Sequence, residues 1–311
     1  MGCFSKLYIG STEVSSNIWM APMVGYTHYP FRTLVKQLGA GIAFTEMINA
    51  DMLFYRDKTM LNRLSPEIPE TDKAVQLVGS GPALMEQVCR SNFMHNVRII
   101  DINMACPNLA VLNHGAGCAL TEDLSRAGKI IESCKRSGKT ITVKCRAGMC
   151  KERIMAEPFS RMCEQAGADA IIIHGRTCDM DYSVPSVPEY IALAKAAVSI
   201  PVIANGDISS RENAEDLIRQ TGADGVMFGR SAIKNPFLFS DITGITPDKK
   251  ELFTQQAMLI SAAEQTQQEL RYLQNLLILC LPEDKRTQEH IQLIRDHWQP
   301  EQLSILAAKL L

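Results

Sequence analysis

Eight short apolar runs, alternating with segments of helical period, constrain this 311-residue chain more than any other feature. The runs lie at 18–23, 42–47, 74–79, 99–103, 141–144, 170–174, 202–205 and 225–229. Uninterrupted apolar runs of this length suit strands buried on both faces, as in a parallel sheet covered by helices. Segments 30–38, 82–93, 123–136, 153–166, 188–197 and 210–220 each carry an apolar stripe at helical spacing. Gly39, Gly138, Gly167 and Gly222 follow four of these, where a left-handed C-cap ends a helix. Ser209 and Glu212 have the spacing of a capping box. Residues 49–72 form a longer, partly basic stretch, expected to be an irregular insertion with a short helix. Eight strand–helix units over about 240 residues predict an α/β fold, a (β/α)8 TIM barrel. A doubly wound sheet is the alternative. It suits fewer strands, and no dinucleotide-type glycine fingerprint follows the first run.

Beyond residue 244 the strand pattern stops and glycine thins out. Residues 250–281 read as one long helix or two, stopped by Pro282, with further helices over 284–298 and 301–311. A barrel over residues 1–244 and a small C-terminal helical domain over 245–311 are expected.

Charge removes several functions. Lys and Arg number 32 against 34 Asp and Glu, which excludes a nucleic-acid binder acting through bulk charge. The deficit lies wholly in the tail, which has seven basic and nine acidic residues from Ile245 onward. No apolar run approaches the roughly eighteen residues of a transmembrane helix. The opening MGCFSKLYIG lacks a basic start followed by an apolar core, so no secretory signal is expected. Ten scattered cysteines include no C-x-x-C pair, which gives zinc no spacing. A cytoplasmic monomer without a metal site is expected.

In a barrel of this kind the chemistry sits at the C-terminal strand ends. There the sequence places Pro22 and Met23, Glu46, Gln76, the stretch NMACP around Cys106, Lys144 with Arg146, His174 with Arg176, Asn205-Gly206-Asp207, and Gly229-Arg230. The last two groups follow strands seven and eight, the usual position of a phosphate site. Gly206 and Gly229 bare the backbone to an anion, Arg230 suits bidentate phosphate contact, and the helix begun at Ser209 favours negative charge. Lys144 ends a buried strand, so it must be desolvated, paired or used. His174 is either structural or a donor to a ligand. A thiol such as Cys106 can protonate a carbanion-like centre, but spacing alone does not separate it from Cys118 or Cys145.

The motifs APMVGYTHYPFR, GAGIAFTEMINA, QLVGSGP, DINMACP, GAGCAL, VKCRAG, IIIHGRT, IANGDI and DGVMFGRSAIKNPFLF run in order from Ala21 to Phe239. Together they resemble the tRNA-dihydrouridine synthase family, and length and tail look most like its bacterial B-type members. The resemblance implies an FMN-binding barrel, a helical domain that helps hold tRNA, and NADPH or NADH as electron donor. It implies reduction of a uracil 5,6 double bond, with hydride from the flavin to C6 and Cys106 as the acid protonating C5. It places Pro22, Met23 and Val24 beside the flavin ring and Gln76 at its polar edge. Lys144 falls near the pyrimidine end, with His174 and Arg176 in the adjoining polar cluster. Asn205, Gly206, Asp207, Gly229 and Arg230 fall at the phosphate. Alternatives are a barrel acting on rRNA or on a small pyrimidine or enone, and a flavoprotein that binds RNA without modifying it. The chain departs from the family pattern in three places. Ala105 stands where glycine is usual. Asn113 and His114 occupy a stretch that usually holds a lysine. The run after HGRT reads CDMDYSVPSVPEY, keeping Tyr182 and Ser183. A candidate RNA-contacting patch comprises Arg56, Lys58 and Arg63, with Arg32 and Lys36 near.

Overall fold

The structure, a computed structural model, describes residues 3–64, 70, 73–262 and 266–311. A two-stranded hairpin, β1 (Leu7–Ile9) and β2 (Thr12–Val14), precedes the main sheet. That sheet holds β3 (Ile18–Met20), β4 (Ile42–Ala43), β5 (Ile48–Asn49), β6 (Lys73–Val78), β7 (Val97–Met104), β8 (Thr140–Arg146), β9 (Ala170–His174), β10 (Val202–Asn205) and β11 (Gly225–Phe228). The strands run in the order β4-β3-β11-β10-β9-β8-β7-β6-β5. Nine strands stand where eight runs were expected, because the segment 42–49, which begins with the run at 42–47, is broken into β4 and β5. Each half pairs with a different edge of the sheet. Between them Phe44 bridges Ala74, and the Thr45 amide donates to the Ala74 carbonyl at 3.0 Å. The interrupted strand thus joins the two edges and closes the barrel.

Side chains alternate across each strand with period two. Ile18 and Met20, Ile100 and Ile102, Ile141 and Val143, and Ile171 and Ile173 face the helices and share one core. Trp19, Phe44, Ile99, Ile172, Ile203 and Met227 fill the barrel interior as a second core, which Ile9 and Val14 of the hairpin join. The hairpin sits at the N-terminal strand ends, where Thr12 Oγ1 meets Thr140 Oγ1 at 2.7 Å. It was not expected, since its two three-residue strands are too short to show periodicity. The same alternation puts Gln76, Asp101, Asn103, Lys144, His174 and Asn205 on the interior face above the apolar filling.

The barrel helices fall close to the expected segments: Tyr29–Gln37, Pro82–Arg90, Leu124–Lys135, Ala156–Gln165, Pro188–Ala197 and Arg211–Thr221. Gly39, Gly138, Gly167 and Gly222 all take positive φ, between 69° and 107°. The capping box at Ser209 is corrected: Ser210 is the N-cap and accepts from the Asn213 amide, while Ser209 Oγ bonds the Asn213 side chain. The insertion at 49–72 holds two short helices, Ala50–Phe54 and Lys58–Leu64; residues 65–69, 71 and 72 lie outside the described residues.

The tail forms the helices Lys249–Ser261, Gln267–Cys280, Gln288–Arg295 and Pro300–Leu310. The expected segment 250–281 is therefore two helices, with 263–265 outside the described residues. Thr266 and Glu269 form a reciprocal capping box that starts the second. Phe253, Ile260, Leu273, Leu277 and Leu303 are buried in a core continuous with the barrel's outer layer. Among the described residues no helix is long and apolar enough to cross a membrane.

Candidate active site

A cavity of about 560 Å³ opens at the C-terminal strand ends. Pro22, Met23 and Val24, on the loop after β3, form one wall. Gln76, Cys106 and Lys144 reach it from β6, β7 and β8, and His174 and Asn205 from β9 and β10. Gly206, Asp207, Gly229 and Arg230 complete the far end. Twelve of the thirteen residues expected at the site therefore line one space.

Arg176 does not line it. Its side chain is 1 % exposed and sits behind the wall. There it donates to Asp207 and to the Val184 carbonyl, and its Nη1 lies 3.3 Å from His174 Nε2. A guanidinium only donates, so His174 Nε2 must accept and the ring proton sits on Nδ1. Burial drives the His174 pKa well below its ordinary value, and Lys144, Arg146, Arg176 and Arg230 add to this. The ring is therefore neutral where it lines the cavity.

A polar network forms the floor and continues beneath it. Gln76 Nε2 donates to Asp101 at 2.7 Å, and Thr142 Oγ1 donates to its other oxygen at 2.7 Å. Asn103 Nδ2 donates to Gln76 Oε1 at 2.9 Å. Burial pushes the Asp101 carboxyl up and the Lys144 ammonium down, while each charge favours the other. Lys144 Nζ donates to Asn205 Oδ1 at 3.0 Å, and Asn205 Nδ2 is fixed by the Met227 carbonyl at 2.8 Å. Every amide in this chain is thereby oriented by a neighbour.

The Cys106 loop is held from three sides. Asn103 Oδ1 accepts from the amides of Ala105 and Cys106 at 3.0 and 2.9 Å. Arg146 Nε donates to the Ala105 carbonyl at 3.1 Å, and its Nη1 holds the Thr177 carbonyl at 2.7 Å. Gly117 closes the third side. Its φ is +59°, and a Cβ there would lie 2.7 Å from the Cys106 carbonyl oxygen. Cys106 is half-buried at the rim, whereas Cys118 and Cys145 are buried, which separates the three candidates.

At the far end Gly229 leaves open backbone, since a Cβ built on it would meet nothing nearer than Ala21 Cβ at 4.0 Å. Arg230 lies 3.9 Å over the Tyr182 ring and pairs with Asp207 at 3.2 Å. Burial alone would raise the Asp207 pKa, but bonds from Arg176 and the Ser186 amide, with both guanidiniums, hold it below its usual value. Asn103 and Arg146, noted only as strand-end residues, and Tyr182 carry no expected role in the sequence reading. The signal was present for the first two, each a polar residue at a strand end. Tyr182 arrives on a long loop, where spacing says nothing. Of the expected RNA patch, Arg32 is fully buried against Glu70, and Arg63 bonds the Met47 carbonyl at 3.1 Å.

The family model for dihydrouridine synthase matches residues 19–298. The tRNA-dihydrouridine synthase B of Pseudomonas aeruginosa is 36% identical over 239 residues, 76% of this chain and 72% of that protein. That of Pseudomonas syringae pv. tomato is 38% identical over 240 residues, 76% of this chain and 71% of that protein. Two solved structures share the fold. Histamine dehydrogenase from Rhizobium sp. 4-9 matches with TM-score 0.59 and 14% identity, over 83% of this chain and 51% of that one. The old yellow enzyme homologue from Zymomonas mobilis matches with TM-score 0.56 and 14% identity, over 79% of this chain and 94% of that one.

Proposed function

The chain belongs to the dihydrouridine synthase family, and on that premise we propose that it reduces the 5,6 double bond of a uridine in tRNA. FMN is the proposed bound cofactor, and NADPH or NADH the electron donor. The cavity suits FMN in three respects. Its volume is within the range of cofactor pockets. Its apolar wall at Pro22 and Met23 can cover a ring. Its far end joins open backbone at Gly229 to the guanidinium of Arg230, a fit for phosphate. Gln76, Asn103 and Lys144 would hold the ring's polar edge, with Asn205 fixing the lysine. When bound, FMN supplies the hydride that uracil C6 receives.

The chain's own residues then have separable tasks. Lys144 presents positive charge at the ring's polar edge, and the neutral His174 presents an N–H donor in the polar cluster beside it. Cys106 donates its proton to C5 and regains one from solvent. Asn103, Arg146 and Gly117 fix its position and take no proton. Arg176 orients Asp207 and sets the His174 tautomer. A base stacked in folded RNA must be extruded to reach this depth.

The observation that carries the reading is the Cys106 loop, held at the rim of the cavity by Asn103, Arg146 and Gly117. Its test is a Cys106→Ala variant loaded with FMN. Flavin reduction by NADPH is expected to persist, while dihydrouridine formation in tRNA falls by about 100-fold or more. Full activity in this variant would overturn the assignment.

A further inference from the structure

A second cavity, of about 540 Å³, lies between the loop after β3 and the tail helix Gln267–Cys280. It backs onto the first. The loop lines the active-site cavity with Pro22, Met23 and Val24 and the second with Gly25, Tyr26 and His28. The short helix Arg230–Lys234 and the residues after it are likewise shared, with Ser231 and Lys234 lining one cavity and Ile233 and Pro236 the other.

Its lining combines ring surfaces with amide edges. His28, Phe31 and Tyr272 form an edge-to-face cluster, with centroids 5.0 Å apart for His28 and Tyr272 and 5.7 Å for Phe31 and Tyr272. His28 Nδ1 accepts from the Phe31 amide, so its neutral ring carries the proton on Nε2. Gln268 and Asn275 each offer a donor and an acceptor at the cavity wall. The Gln268 amide is seated against Gly25, where a Cβ would come within 2.7 Å of its Nε2. Among the described residues Arg271 is the one charged side chain in the lining, which includes no carboxylate. Stackable rings, amide edges and a lone cation suit a planar heterocycle attached to an anionic backbone.

We propose that this cavity holds a nucleobase of the same RNA whose uridine enters the first cavity, an inference that rests on the proposed function. RNA is favoured over a free dinucleotide because the cavities share two walls. A strand engaged in one is tethered beside the other, which makes the second contact effectively intramolecular. The site also locates binding in a tail with no net positive charge, since stacking and amide contacts need only one cation.

The test uses the full-length, FMN-loaded protein and total tRNA from a strain lacking the gene. The variants are Arg271→Ala/Asn275→Ala and, separately, Tyr26→Ala, all at exposed positions. A stacked base is worth enough that KM for RNA is expected to rise about ten-fold or more. The kcat at saturating RNA and the rate of flavin reduction by NADPH are expected to stay unchanged. Parent activity with an unchanged KM for RNA in both variants would overturn the inference alone. A raised KM for NADPH with RNA unaffected would give the base to the dinucleotide and overturn the assignment to RNA. A parent protein that forms no dihydrouridine in any RNA would sink the proposed function and this inference together.

Discussion

At the scale of residues, the site depends on polar groups whose orientation leaves little freedom. Lys144 is the sharpest case, because burial disfavours its charge while the nearby Asp101 favours it and the Asn205 side chain accepts its hydrogen bond. Removing such a preorganised donor typically slows a reaction by about 100-fold. Lys144→Ala is expected to slow flavin reduction by about that factor in stopped-flow absorbance, and an unaltered rate would remove it from the mechanism. His28 gives a pH prediction. Burial lowers its pKa to about 3 from 6.5. As pH falls below 6.5 the unfolded chain takes a proton that the folded chain refuses, so stability is lost between pH 6.5 and 3. His28→Asn keeps an N-cap acceptor for Phe31 and removes the titration. Its melting temperature is expected to fall less steeply with acid than the parent's over that window; parallel slopes would contradict the assignment.

At the scale of elements, most of the barrel was legible in the sequence because strands buried on both faces need apolar residues almost continuously. Seven of the eight runs correspond to one strand each. The exception, 42–47, was read as continuous although Thr45 and Glu46 interrupt it, and closure is made there by one bridge at Phe44. The N-terminal hairpin was hidden by its shortness. The strand-end residues that line the cavity were legible because strand ends are where a barrel displays its polar groups. Tyr182 and the second cavity were not found, since both depend on how a loop or the tail folds back. The Gly-Ala-Gly turn shows how an element serves the site. Gly117→Ala adds a methyl at φ +59° against the Cys106 carbonyl, and a non-glycine residue there costs about 1–3 kcal/mol. A lower melting temperature and a kcat reduced about ten-fold are expected, from the shifted thiol. Thermal melts and RNA turnover identical to the parent's would show the packing to be dispensable.

For the whole molecule, balanced charge and an RNA substrate are compatible only if recognition is local. We propose residues 245–311 as a small helical domain that contributes such recognition, its second helix forming one wall of the second cavity. The barrel core and the tail core are continuous, so the two cavities hold a fixed relation to each other. The claim that binds these scales together is reduction of uridine in tRNA. Mass spectrometry of tRNA nucleosides, from a strain lacking the gene and from its parent, tests it most directly. At least one tRNA position is expected to lose the two added hydrogens of dihydrouridine and to regain them when the intact gene, but not Cys106→Ala, is restored. An identical dihydrouridine content at every tRNA position in both strains would contradict it.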